Sequence, residues 1–388
     1  MRSEAPSRAD IKPFRVDIPQ PDLDDLHRRL AMTRWPDEIR GAAGSYGVPL
    51  ARVQELAEYW RTGYDWRRNE ALLNELPQFT TTIDGQRLHF VHLRSEDPDA
   101  LPILITHGWP GSIVEFMKII EPLANPGRHG GDVADSFHVV APSIPGYAFS
   151  GPTTEPGWDV KRIAAAFAVL MSRLGYSRYG TQGGDWGSAI SRQVGLLDPE
   201  HVLGSHFNTL QTAPSGDPEE IKLLTEKERS FLERGQRFTQ QGSGYYMIQS
   251  SRPQTLAYGL TDSPAGLLAW IDEKFTEWTD PTSTIDRDQI LTNVSVYWLT
   301  ETANSAARLY AEFARSGSGW GKVEPSSVPA GVAQFPYEIF PPIRRFAERS
   351  NNIVHWSEFD QGGHFAAMEQ PDLLVGDVRA FFRPLRKK

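Results

Sequence analysis

The feature of the sequence that most constrains the fold is the stretch Gly183-Gly184-Asp185-Trp186-Gly187. Residues 179–182 before it are strand-like, and residues 188–197 after it carry apolar side chains at helical spacing. Glycine suits both ends of the stretch, because a Cβ would clash where the chain doubles back. The pattern predicts a nucleophile elbow, a sharp strand–turn–helix that exposes one reactive side chain.

The elbow carries Asp185 at the position where a serine is the usual nucleophile. A carboxylate is ionised near neutral pH, so it needs no base to activate it. It can attack a saturated carbon and form an ester with it. This chemistry favours the opening of an epoxide or the displacement of a halide over peptide or lipid hydrolysis. In the competing interpretation, Asp185 only caps the helix that follows.

Length, charge and cysteine content narrow the class of protein. A chain of 388 residues accommodates two or three domains, or one domain with insertions. A net charge of −9 argues against nucleic acid or an anionic membrane as the main partner. The absence of cysteine excludes disulfides, a thiol nucleophile and a cysteine-based metal site. The first ten residues are polar and no apolar run approaches about 18 residues, so we predict a cytoplasmic protein.

The order of the predicted elements indicates an α/β fold. Residues 11–80 predict a helical lead-in, and Asp84-Gly85 between strand formers predicts a hairpin. Strands then alternate with helices, which is typical of a mostly parallel sheet. One of these helices is expected to begin at Ser112, with Glu115 placed for a capping box.

The strand signal disappears at residue 213 and returns near residue 328. The intervening segment predicts helices over residues 221–238, 267–278 and 294–313. A helical insertion at this point would cover the ends of the sheet, where ligands bind in open α/β folds. The predicted division is an N-terminal extension wrapping the core (1–95), a core in two parts (96–212 and 326–388), and a helical cap (213–325).

Two further motifs predict partners for Asp185. His107-Gly108-Trp109-Pro110-Gly111 follows a strand, so the Trp109 N–H can join that of Trp186 in stabilising an oxyanion. His364 lies between the last strand and the last helix, where a catalytic base belongs, with Glu338 upstream as its acid. Glu358 and Asp360 are competing candidates for the acid. A tight turn, a structural histidine and a solvated carboxylate are the alternative interpretations.

Tyr245 and Tyr310 in the helical insertion are candidates to bind an epoxide oxygen. A phenol stays protonated at neutral pH and can donate a hydrogen bond to an ether oxygen. Packing in the core is the alternative for either tyrosine.

Taken together, these motifs resemble the epoxide hydrolases of the α/β-hydrolase superfamily, in particular the microsomal-type branch. The resemblance covers nearly the whole chain. Besides the motifs above, it is carried by the extension and by three short matches: Pro145-Gly146-Tyr147, Ser243-Gly244-Tyr245 and Arg308-Leu309-Tyr310. It implies an α/β-hydrolase fold that needs no cofactor or metal. For the site, it implies the roles already considered: nucleophile Asp185, base His364, acid Glu338, epoxide-binding Tyr245 and Tyr310, and oxyanion donors Trp109 and Trp186.

The resemblance also sets expectations about the biological role. It implies a small-molecule epoxide as substrate, in detoxification or in natural-product biosynthesis such as that of enediyne antibiotics, and a possible homodimer. The membrane anchor of the animal enzymes is missing, and Ala148 replaces a glycine that relatives often have. Four aromatic residues of the predicted cap suggest a bulky or aromatic epoxide, with packing in the core as the alternative interpretation: Tyr246, Trp270, Trp278 and Trp298.

Two other functions stay open from the sequence. A haloalkane dehalogenase shares the Asp nucleophile and the following Trp, but it needs halide-binding donors rather than paired phenols, so Tyr310 discriminates between the two. A non-catalytic receptor on the same scaffold would lack covalent turnover.

Overall fold

The computed structural model describes residues 10–41, 44–317 and 324–386. Residues 1–9, on which part of the signal-peptide prediction rests, lie outside the described residues. The described chain forms a nine-stranded sheet flanked by helices. Its strands are β1 (Lys12–Phe14), β2 (Gln78–Ile83), β3 (Gln86–Leu93), β4 (Leu101–Thr106), β5 (Phe137–Pro142), β6 (Tyr179–Gly183), β7 (Val202–Phe207), β8 (Ser326–Gln334) and β9 (Asn351–Glu358).

The strand order is β1-β2-β3-β5-β4-β6-β7-β8-β9. The strands from β5 to β9 run parallel, and β1, β2 and β3 add antiparallel pairs at one edge. The predicted mostly parallel α/β sheet is therefore confirmed. The predicted hairpin is present as well, since Asp84 and Gly85 form a two-residue turn between β2 and β3 with φ of 50° and 73°.

The helices follow the strands in the alternating order that the sequence predicts. They are α1 (Gln20–Ala31), α2 (Leu50–Thr62), α3 (Trp66–Leu73), α4 (Ile120–Ala124), α5 (Val160–Leu174), α6 (Asp185–Leu197), α7 (Pro218–Lys222), α8 (Glu226–Arg237), α9 (Gly244–Ser251), α10 (Pro253–Asp262), α11 (Pro264–Glu277), α12 (Arg287–Leu299), α13 (Ala303–Arg315), α14 (Arg344–Ala347), α15 (Ala366–Glu369) and α16 (Pro371–Phe382). None of the helices in the described part of the chain has the length and apolar character needed to cross a membrane.

Two helices predicted within residues 213–325 are each interrupted. The helix predicted over residues 294–313 is in fact α12 and α13, separated at Thr300–Thr302. There, the hydroxyl of Thr300 bonds back to the Val296 carbonyl, and Glu301 adopts a φ of 54°. The helix predicted over residues 221–238 begins as α7 and restarts as α8, because Thr225 forms a capping box with Glu228.

The prediction of a capped α-helix at Ser112 is wrong. Ser112 accepts a hydrogen bond from the Val114 N–H, but the helix is a four-residue 3₁₀ turn, Ile113–Phe116. Glu115 does not return to cap it. Its carboxyl folds back over the preceding loop, close enough that a Cβ on Gly111 would lie 1.4 Å from Glu115 Oε1.

The N-terminal segment is tied to the helices between β7 and β8. Trp60 on α2 donates to Ser295 on α12 (2.9 Å), deep in the core. Arg52 on α2 makes two hydrogen bonds, of 2.6 and 2.7 Å, to the carboxylate of Asp272 on α11. Because the Asp272 side chain is fully buried, Arg52 supplies the charge that balances this carboxylate.

We expect Arg52→Leu to lower the free energy of unfolding by about 3 kcal/mol, because it leaves a buried carboxylate unpaired. Chemical denaturation measures this loss. Replacing both Arg52 and Asp272 by leucine should recover most of it. Arg61→Leu, which removes the partner of the exposed Glu58, is the control and should cost under about 1 kcal/mol. Equal losses in the two single variants would contradict this role for Arg52.

Candidate active site

The elbow places Asp185 at the carboxyl end of a central strand. β6 ends at Gly183, α6 begins at Asp185, and Asp185 itself has a φ of 48°. A non-glycine residue in this left-handed region is strained and persists only when its surroundings hold it there. Gly187 allows the required close approach, because a Cβ there would lie 1.9 Å from the carbonyl oxygen of Thr106 on β4.

The loop after β4 supplies a hydrogen-bond donor to Asp185. The Trp109 N–H donates to Asp185 Oδ1 at 2.8 Å. The loop is held from above by α12: Asn293 donates to the Pro110 carbonyl (2.8 Å) and Tyr297 to the Gly111 carbonyl (2.7 Å). Trp186 follows Asp185 directly, in the first turn of α6. The two amides proposed as oxyanion donors thus flank Asp185.

The structure brings His364 and Glu338 together beside Asp185. His364 Nδ1 lies 2.9 and 3.0 Å from the two oxygens of Glu338. On its other side, His364 Nε2 lies 3.6 Å from Asp185 Oδ2. Of the three candidate acids, Glu338 is the one that contacts His364, whereas Glu358 pairs with Lys227 near the surface.

Glu338 is fully buried and well supplied with donors. Thr209 donates to Oε2 at 2.6 Å, and the Ile339 N–H donates to Oε1 at 2.7 Å. Burial alone would raise the pKa of Glu338, but His364 and hydrogen-bond donors such as Thr209 hold it below its usual range. Burial alone would likewise lower the pKa of His364, but Glu338 and Asp185 raise it well above the usual range. The free site therefore holds an imidazolium between two carboxylates.

Tyr245 and Tyr310 meet above the loop that carries Trp109. The Tyr245 ring stacks on Trp109 with centroids 5.0 Å apart and an interplanar angle of 7°. The Tyr310 ring stands edge-on to Trp109 and Trp186 at 5.9 and 4.8 Å. Burial raises the pKa of both phenols well above the ordinary value, and the nearby charge of Asp185 adds to it, so both stay protonated.

A cavity of about 760 Å³ connects these groups, since its walls include Asp185, His364, Tyr245 and Tyr310. Of the four cap aromatics that suggest a bulky substrate, Tyr246 lines this cavity. The other three do not line it, which corrects that expectation. Trp278 packs edge-on against His364, Trp270 bonds to Gln249, and Trp298 lies beneath Arg29. Phe238, Phe313 and Phe340 line the cavity instead.

The sequence analysis missed residues that hold the segment around His364 and Glu338 in place. Asp280, in the loop after α11, accepts from the Gly362 N–H at 2.7 Å. Glu369 accepts from the Phe365 and Asp280 N–H groups at 2.9 and 2.8 Å. Thr209, whose hydroxyl donates to Glu338, is a third residue that the sequence analysis missed. Apart from Phe365, which is four residues from Glu369, each partner lies far away along the chain, so the sequence carries no signal for these contacts.

The fold and this arrangement define an α/β-hydrolase whose elbow carries a carboxylate. Comparison with known proteins agrees. Residues 102–263 match the alpha/beta hydrolase fold, and residues 11–116 match the epoxide hydrolase N terminus.

The relatives extend this agreement over the whole chain. A Stigmatella aurantiaca protein that carries a provisional epoxide hydrolase name is 48% identical over 97% of this chain and 86% of its own length. Epoxide hydrolase 1 of Sus scrofa is 35% identical, covering 100% of this chain and 92% of its own. The structure of Aspergillus niger epoxide hydrolase superposes with a TM-score of 0.87 at 34% identity, covering 98% of each chain. The chain belongs to the epoxide hydrolase family, and it is an enzyme that hydrolyses epoxides.

The pairing of His364 with Glu338 makes a prediction about stability and pH. A histidine with a raised pKa contributes stability that is fully present below its unfolded pKa of about 6.5 and is lost as pH rises through the folded value. Glu338 has a lowered pKa, so its contribution to stability needs a pH above its unfolded pKa of about 4.3. We expect Glu338→Gln to cost about 2 kcal/mol near pH 6 and progressively less at alkaline pH.

Denaturation curves between pH 5 and pH 10 measure this dependence. Glu358→Gln is the matched control, because Glu358 is another candidate acid and pairs with Lys227 near the surface. It should cost little at every pH. A cost of Glu338→Gln that does not change with pH would show that the contact is not ionic.

Proposed function

We propose that the enzyme opens its epoxide through a covalent ester on Asp185, which water activated by His364 then hydrolyses. The observation that carries this proposal is the position of Asp185 between His364 Nε2 (3.6 Å) and the Trp109 N–H (2.8 Å). The backbone of Asp185 is strained, and its carboxylate is partly exposed and lines the cavity. The proposed base and oxyanion donor lie beside it.

In the first step, an oxygen of Asp185 attacks one carbon of the epoxide and the bond from that carbon to the ring oxygen breaks. Tyr245 and Tyr310 bind the ring oxygen, and one of them gives its proton to the alkoxide as it forms. Protonated phenols suit this role, because a donor is needed where negative charge develops.

In the second step, the imidazolium of His364 gives its proton to the tyrosinate, and the neutral ring then takes a proton from water while the hydroxide attacks the ester carbonyl carbon. The oxyanion is stabilised by the Trp109 and Trp186 N–H groups. The tetrahedral intermediate releases the alcohol, which takes the proton from His364, and the protonated Asp185 returns its proton to the His364 ring. The sum is epoxide plus water giving a vicinal diol.

The charges explain how His364 can act as a base although it begins protonated. Asp185 is one of the two carboxylates that raise the pKa of His364. Alkylation turns Asp185 into a neutral ester and removes that contribution. Burial lowers the pKa of His364, and in the ester only Glu338 acts against it. The pKa of His364 therefore falls in the intermediate, where a base is needed.

The cavity favours a bulky or aromatic substrate. Its volume of about 760 Å³ suits a ligand of drug size, and aromatic rings contribute much of its apolar wall. We also propose that the helices between β7 and β8 act as the cap that covers this cavity. A homodimer, a cytoplasmic location and a role in detoxification or antibiotic biosynthesis stay predictions.

A single turnover of styrene oxide in ¹⁸O-labelled water tests the covalent route. We expect an unlabelled diol and one labelled oxygen in the peptide that contains Asp185, because the diol receives its second oxygen from the carboxylate. Mass spectrometry of both products measures this. Label in the diol with an unlabelled Asp185 would mean direct attack by water. His364→Gln should accumulate the ester, and Asp185→Ala should form none.

The two phenols have a separate test in the rate of ester formation. We expect Tyr245→Phe and Tyr310→Phe each to slow alkylation by about 10- to 100-fold, because one donor to the leaving oxygen is lost. The double variant should be far slower than either. Stopped-flow tryptophan fluorescence in a single turnover measures this rate. Tyr258→Phe, at an exposed tyrosine, is the control. An unchanged alkylation rate in the double variant would exclude both phenols as proton donors.

A further inference from the structure

The large cavity extends beyond the catalytic groups, because its wall continues along α6. After Trp186, the α6 residues that line it recur at the spacing of one helix face. These residues are Ser188, Ala189, Arg192, Gln193 and Leu196. Since a helix rises by about 1.5 Å per residue, Leu196 lies about 16 Å from Asp185 along the helix axis. The cavity is therefore elongated along α6.

Arg192 is a half-buried cation on this wall. Its Nε donates to the side-chain oxygen of Asn351 (2.7 Å), and its Nη2 donates to the carbonyls of Ser350 (2.9 Å) and Glu324. These three acceptors are neutral. A buried cation is normally paired with a carboxylate, but the described part of the chain places none in hydrogen-bond contact with Arg192. Its Nη1 makes no hydrogen bond to the described residues, so two N–H donors are available to a ligand.

The charges on the cavity wall favour a negative ligand. Burial lowers the pKa of the Arg192 guanidinium and the charge of Glu324 opposes this shift, but an arginine stays protonated at neutral pH. Apart from the catalytic groups, the charged residues that line the cavity in the described chain are Lys161, Arg192 and Glu324. Two cations thus accompany one exposed carboxylate, in a protein whose net charge is −9. The wall outside the catalytic groups is positive against the overall charge of the chain.

We infer that the substrate is an epoxide that also carries a carboxylate, and that Arg192 binds this carboxylate while Asp185 attacks the ring. This inference rests on the proposed covalent route, which places the epoxide at Asp185. Arg192 lies seven residues after Asp185, so the two residues are about 10 Å apart along α6, or two helical turns. The substrate therefore has a body of about that length between its epoxide and its carboxylate.

An anchor of this kind fixes which end of the substrate reaches the catalytic groups. Apolar walls alone bind an elongated epoxide in more than one direction, because the burial of apolar area is not directional. A charge-assisted hydrogen bond from Arg192 holds one end in place. The epoxide is then presented to Asp185 in one orientation, with its ring oxygen toward Tyr245 and Tyr310.

Paired substrates test this inference. A styrene oxide with a propanoic acid chain in the para position and its primary amide have nearly the same shape but differ in charge. We expect the wild-type kcat/KM for the acid to exceed that for the amide by about 10-fold, because Arg192 binds a charged acceptor more tightly than a neutral one. Arg192→Gln should bring this ratio close to unity. Gln193→Met is the matched control, since it changes the adjacent cavity residue without removing a charge, and it should leave the ratio unchanged.

The ratio separates binding of the carboxylate from folding, because a destabilised variant loses activity toward both substrates equally. If Arg192→Gln does not fold, Arg192→Lys takes its place. It keeps the charge but loses the planar fork, and should lower the ratio by about threefold. A wild-type ratio close to unity would overturn the inference, and so would a ratio that the Arg192 variant leaves unchanged or that Gln193→Met lowers equally. Failure of the covalent route is distinguishable, because styrene oxide itself, which has no carboxylate, tests that route by labelling.

Discussion

The interaction on which the site depends is the buried imidazolium of His364 between two carboxylates. Burial by itself would favour the neutral form of this ring, and Glu338 and Asp185 together keep it protonated. Each carboxylate is anchored by other donors, Glu338 by Thr209 and Asp185 by the Trp109 N–H. A site built in this way changes state when one carboxylate becomes an ester. In the proposed mechanism, the loss of that single charge converts His364 from a counterion into a base.

The sheet explains how these groups meet. Parallel strands place their carboxyl ends at one edge, so the loops after β4, β6, β8 and β9 converge there although they are far apart along the chain. The helices between β7 and β8 complete the site from above. They supply Tyr245 and Tyr310, and Asn293 holds the Trp109 loop in place. The N-terminal segment supports these helices in turn, through contacts such as that of Arg52 with Asp272.

The turns were predictable from the sequence where the conformational preferences of neighbouring residues determine them. The elbow follows from its glycines, and the Asp84-Gly85 turn follows from its preference for positive φ. The predictions were wrong where a distant contact or a side chain's local hydrogen bond prevails over periodicity. Residues 294–313 have a continuous helical pattern, yet Thr300 closes one helix before the next begins. Glu115 has the spacing of a capping residue, yet its carboxyl folds back over the preceding loop.

The sequence by itself determined the class of the fold, the carboxylate at the elbow and the candidates for base, acid and phenols, because each depends on residue type and on spacing along a strand or helix. Only the tertiary structure decided which acid contacts His364, which aromatic rings line the cavity, and that the half-buried Arg192 lines it as well. These depend on where distant side chains meet, and on volumes left between packed elements, neither of which is encoded in local periodicity.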